Sequence, residues 1–233
     1  MGTKMINTPK TTASWHHLHR LTSVGAFFGL VLTGLIAPAS ASTNSLHAQA
    51  EEFSRRCVEQ VAAQPEVVQS FSVCQQAVAL TQIANDSRLV AYSLGNLGTL
   101  YLEQQDYQQA LSFYQQALMI SETIGDSDLR TKSLIAIGTT YLQSGEHQQA
   151  FIFYRQALEN AQANDDPIGT AIAHYNLGLT YDSVKQYQQS VNAYQNSALI
   201  AQQIGDPILE TYALNKMQLA NQAWSKGNEQ AKL

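Results

Sequence analysis

Basic residues, cysteines and long apolar runs are scarce in this 233-residue chain, and each scarcity removes a class of function. Lys and Arg total 13 against 18 Asp and Glu. Three of the basic residues (Lys4, Lys10, Arg20) and none of the acidic ones precede residue 42, which leaves a body of net charge −8. Such a body repels a phosphate backbone and offers no basic stripe to an anionic membrane. The two cysteines, Cys57 and Cys74, stand 17 residues apart, a spacing that matches neither a redox pair nor a zinc ligand set. No glycine loop suited to cradling phosphate is present, and the histidines do not gather. His16, His17 and His19 lie near the start, His147 at a turn, and His174 at a core position of a helix. The carboxylate pair Asp165–Asp166 sits where a helix begins and reads as a cap. Nothing here assembles a nucleophile, a base and oxyanion donors, so the expectation is no enzyme, no metal and no cofactor.

The one long apolar run, Leu21–Ile36, follows Arg20 and leads into small residues at Ala39 and Ala41. That order is the pattern of a secretory leader removed after Ala41. An uncleaved anchor is the alternative, although about 20 apolar residues are needed to span a bilayer. The protein is therefore expected to be exported, or membrane-anchored if the leader stays. With 45% hydrophobic residues, what remains can build one sizeable domain.

Comparing the chain with itself exposes a period of 40. "NLGTLY" from Asn96, "AIGTTY" from Ala136 and "NLGLTY" from Asn176 align without a gap. So do Tyr107, His147 and Tyr187, then Ala110, Ala150 and Ser190, then Tyr114, Tyr154 and Tyr194. Leu94, Leu97, Gly98 and Tyr101 recur at helical spacing, and Tyr107, Ala110, Leu111, Tyr114, Ala117 and Leu118 form a second helical face. Each unit is thus a helical hairpin. Gly125 and Gly205 suit helix ends, Asp126, Asp166 and Asp206 suit N-caps, and Pro167 and Pro207 suit first helical positions. An apolar core with a glycine between helices is expected to let helix A approach helix B where small residues, Ser190 and Ser197 in the third unit, face it. One period upstream, "QQAVALTQIANDSRL" aligns with "QQALMISETIGDSDL", which marks a degenerate unit with its first helix near Leu46–Ala63 and Pro65 in its turn. Downstream, one helix lacks a partner and reads as a cap with Lys216, Asn221 and Lys226 outward. Cys57 and Cys74 occupy the register of Leu97 and Tyr114, which are expected to face each other. A disulfide is the first reading, two small buried thiols the other.

This pattern resembles the tetratricopeptide repeat in its 40-residue subgroup, with the six residues beyond the usual unit expected in helix B. The resemblance implies an all-α, right-handed superhelical solenoid of antiparallel hairpins. Its divisions would be a leader at 1–41, a degenerate hairpin at 42–90, repeats at 91–130, 131–170 and 171–210, and a cap and tail at 211–233. It also implies a concave face lined by helix A. The lining positions would be Tyr92, Gly95, Asn96 and Thr99, then Lys132, Ile135, Ala136, Thr139 and Gln143, then Ile172, Tyr175, Asn176, Leu179 and Asp182, with Tyr212 and Lys216 on the last helix. The side chains there are expected to lack packing duty and to hold a protein or an extended peptide. Only Lys132 and Lys216 are basic, so the cationic clamp that some relatives use for acidic peptides is missing as a set. The leader and the glutamine-rich body look like those of exported cyanobacterial repeat proteins, which implies a periplasmic or thylakoid-lumen scaffold in complex assembly. The alternative is a structural protein that self-associates through its ends.

Overall fold

The computed structural model describes residues 43–63 and 67–230, so the leader and Pro65 lie outside the described residues. Among these are nine helices and no strand: α1 (Thr43–Ala63), α2 (Val67–Ile83), α3 (Ser87–Glu103), α4 (Tyr107–Ile124), α5 (Ser127–Gln143), α6 (His147–Ala163), α7 (Pro167–Ser183), α8 (Tyr187–Ile204) and α9 (Pro207–Gln230). In the three regular hairpins the A helices are 17 residues each and the B helices 17 or 18, so the two arms of each hairpin are nearly equal in length.

Local chemistry explains where each helix starts and stops. The carboxylates of Asp86, Asp126, Asp166 and Asp206 accept hydrogen bonds from the N–H groups of Leu89, Leu129, Gly169 and Leu209, which the first turn cannot satisfy itself. Gly125 and Gly205 adopt φ of 70° and 72°, the left-handed turn that closes α4 and α8. Because each unit opens at its aspartate cap, the hairpins run 87–124, 127–163 and 167–204.

Packing is between neighbours. Each helix packs on the next in sequence, and A helices of successive hairpins also touch: α1 with α3, α3 with α5, α5 with α7. No pair of B helices is among the helix pairs in substantial contact. The A helices thus form the inner layer and the B helices splay outward, which is the solenoid geometry.

The glycine between the leucines has a different partner from the one its sequence suggests. A Cβ on Gly178 would lie 2.5, 2.6 and 2.9 Å from three ring carbons of Tyr194. Gly98 and Tyr114, and Gly138 and Tyr154, repeat the arrangement. The glycine admits a tyrosine ring from helix B: the nearest atoms to it are ring carbons of Tyr194, not atoms of Ser190 or Ser197, which are also fully buried. All three tyrosines are fully buried. The residue facing Tyr114 is correspondingly Gly98; Leu97 packs instead with Cys57, Cys74 and Leu100. Ring pairs Tyr101–Phe113 and Tyr141–Phe153 stack at 5.3 and 5.4 Å in successive hairpins. The third hairpin has Ala193 at that position, and Tyr181 lies against Phe151 of the previous hairpin at 4.7 Å.

In the degenerate unit a disulfide joins Cys57 to Cys74 across a Cα–Cα distance of 4.8 Å, and both residues are fully buried. Cys74 stands in the register of Tyr114, and Cys57 in that of Leu97, one position before the glycine. Helix α1 is also tied to α3 by a hydrogen bond of 3.0 Å between the hydroxyls of Ser54 and Ser93.

Candidate functional site

Helix geometry fixes which side of each A helix faces inward. At 100° per residue, Asn96 lies about 160° around α3 from Gly98, the point at which the B-helix tyrosine makes contact. Asn176 has the same relation to Gly178 on α7. Both asparagines therefore sit on the inner layer, one in the first regular hairpin and one in the third. They are 2% and 1% exposed. The amide nitrogen of Asn96, and both amide atoms of Asn176, have no hydrogen-bonding partner. An unmatched buried amide costs about 1–3 kcal/mol, so two at equivalent positions call for a reason.

The other predicted lining residues divide by what they touch. Tyr92, Ile135 and Tyr175 are buried in the core clusters, with Ile172, Leu179 and Tyr212 packed against them. The expectation that these side chains lack packing duty is corrected. The long A helices lie close enough that their inner flanks seal against the adjoining hairpin. Ten consecutive residues of α3, 91–100, are buried, Gly95 included, and Ala136 is buried on α5. Thr99 and Thr139 serve the tyrosines, with Thr99 Oγ1 3.1 Å from Tyr114 Oη and Thr139 Oγ1 2.9 Å from Tyr154 Oη. Lys132 binds Asp128 at 2.9 Å and lies over the Tyr92 ring at 5.7 Å. Gln143 is exposed, and Lys216 is half-buried.

The third hairpin departs from the first two. Leu179 replaces the threonine, and the Tyr194 hydroxyl instead donates to Asp182 Oδ2 at 2.9 Å. Asp182 occupies the register of Leu102 and Leu142. Its Oδ1 is buried without a partner. Burial raises the phenol pKa of Tyr114 and Tyr154, and burial together with the adjacent Asp182 raises that of Tyr194, so all three hydroxyls keep their protons. Burial lowers the His174 imidazole below its ordinary value, as suits a packed side chain. The turn residue His147 has Nδ1 3.1 Å from Ser183 Oγ. The unpartnered amides were findable as the recurring "NLG"; the Asp182–Tyr194 bond was not, because it depends on a helix crossing.

Family models described as tetratricopeptide repeat match residues 66–123, 90–163 and 171–206, together more than half of the chain. The chain belongs to the tetratricopeptide repeat family. Solved structures of this repeat protein's fold include aspartyl phosphate phosphatase F from Bacillus subtilis, at TM-score 0.70 and 14% identity, covering 79% of this chain and 48% of that one. This chain thus spans about half of that protein. The nearly identical TPR-like repeats of a Podosopora anserina kinesin light chain match at TM-score 0.61 and 17% identity, over 83% of this chain and 93% of that one. The apo form of RapI matches at TM-score 0.61 and 17% identity, over 79% and 70%. No curated protein matches the chain. At these identities the likenesses establish the solenoid of the repeat protein and nothing narrower.

Proposed function

We propose that this repeat protein is a non-enzymatic scaffold that holds a protein segment or extended peptide along its inner face, outside the cytoplasm. The observation that carries the reading is the pair Asn96 and Asn176: buried, on the inner layer, with amide atoms unmatched. An amide donates and accepts at once, so two of them at equivalent repeat positions suit the alternating N–H and C=O groups of an extended backbone. A Rap protein of similar fold is complexed with competence and sporulation factor, which agrees with a binding role. The polar groups set at equivalent repeat positions on this face are the amides of Asn96 and Asn176, which suit holding a peptide rather than moving protons. Export rests on the leader pattern before residue 42 and is consistent with a buried disulfide, since such bonds persist in oxidising compartments. Assembly of a membrane complex is the role we assign there.

Displayed random peptides panned against the full chain provide the test. Peptides that bind should lose about tenfold in affinity when Asn96 or Asn176 becomes alanine. The melting temperature should stay level, because the amide nitrogen of Asn96 and both amide atoms of Asn176 have no partner within the chain. Binding that survives the double substitution would place the site elsewhere.

A further inference from the structure

Asn96 and Asn176 differ in what they leave open. On Asn96 the amide nitrogen alone is unmatched, whereas on Asn176 both the nitrogen and the oxygen are. Asn96 therefore offers a donor, and Asn176 a donor with an acceptor. Between them, at the same register on α5, stands Ala136, which offers neither. The helices α3, α5 and α7 touch in turn. At the usual interaxial distance of packed helices, the two asparagines stand about 16–20 Å apart. An extended chain covers that span in about six residues.

Charge is scarce along the span. Of the lining positions from Tyr92 to Leu179, Lys132 alone is charged, and Asp128 holds its ammonium at 2.9 Å. Asp182 lies about 40° around α7 from Gly178, on the side that meets Tyr194 and away from Asn176. A charged side chain brought against the buried asparagines would lose its water and meet no free counter-ion, a cost that a neutral residue avoids.

We propose, resting on the inner-face reading above, that the segment held there is uncharged over a stretch of about six residues and gripped through its backbone at two points. One carbonyl of the segment accepts from Asn96. Further along, one carbonyl accepts from Asn176 and one N–H donates to it. The stretch between them passes Ala136, whose methyl makes no polar demand. Main-chain groups are the same in every sequence, so selection falls on what they carry: charge is rejected, and a segment too short to reach both amides loses one of them.

A panel of end-capped synthetic peptides, four, six and eight residues long and built from uncharged residues, is titrated calorimetrically against the full chain. The tightest hexamer is then remade with Glu or Lys at a central position. Either charge should weaken binding about tenfold or more. Trimming the hexamer to four residues should also cost about tenfold, and the shorter peptide should respond to Asn96→Ala or to Asn176→Ala but not to both. Tighter binding of the Glu or Lys peptides would overturn the proposal. So would a tetramer that matches the hexamer and responds to both substitutions, or a panel in which no neutral peptide of six or eight residues binds. If peptides bind but neither asparagine substitution alters them, the inner-face reading itself fails. If both substitutions matter and the preferred peptide is charged, that reading stands and this inference alone is lost.

Discussion

Gly138→Leu should destabilise the middle hairpin by about 3 kcal/mol or more, the upper end of what overpacking costs. An added Cβ alone would lie 2.8, 2.8 and 3.2 Å from ring carbons of Tyr154. That ring is fully buried, and its hydroxyl is held by Thr139 at 2.9 Å. It has no free volume to enter and would forfeit its hydrogen bond by turning away. The remaining leucine atoms would force α5 and α6 apart. In a solenoid this damage is shared only with adjoining hairpins, so α5 and α6 should lose amide protection before α1 and α2 do. Gly138→Ala should show the same pattern at smaller amplitude. Pairing Gly138→Ala with Tyr154→Leu should recover part of the loss, since the clash is with the ring. A melting temperature unaltered by Gly138→Leu would refute the ring-on-glycine account.

Removing the disulfide, as Cys57→Ala with Cys74→Ala, should cost about 3 kcal/mol, the value for a closed loop of this size. The N-terminal hairpin has no glycine–tyrosine contact to fall back on, and the bond lies at the centre of its core cluster with Val73 and Ala77. The loss should be local. Helices α1 and α2 should exchange amide protons early while α5 to α8 remain protected, and denaturant unfolding should separate into two steps. Identical transitions with and without reductant would show that the bond contributes nothing to stability.

Much of this protein was readable because its information is local and repeated. The aspartate caps, the left-handed glycines and the prolines at the starts of α7 and α9 act within a turn or two, so their residue types carried their positions. The inner face was readable only in part. Asn96 and Asn176 announce themselves by recurring in "NLG", but Tyr92, Ile135 and Tyr175 occupy the same inward register and turn out to be core. Helical spacing distinguishes faces of one helix; it does not say how closely the next hairpin approaches.

The sequence alone established the period, the hairpin as repeating unit, the helix ends and the cysteine register, because each depends on residues near one another along the chain. Tertiary structure decided the rest: that a tyrosine ring, not a small side chain, fills the glycine gap; that Asp182 replaces a threonine as the partner of Tyr194; and that Lys216 and Asn221 of α9, expected outward, are half-buried. These depend on how neighbouring helices cross and on how closely they pack, and a one-dimensional pattern holds no record of either.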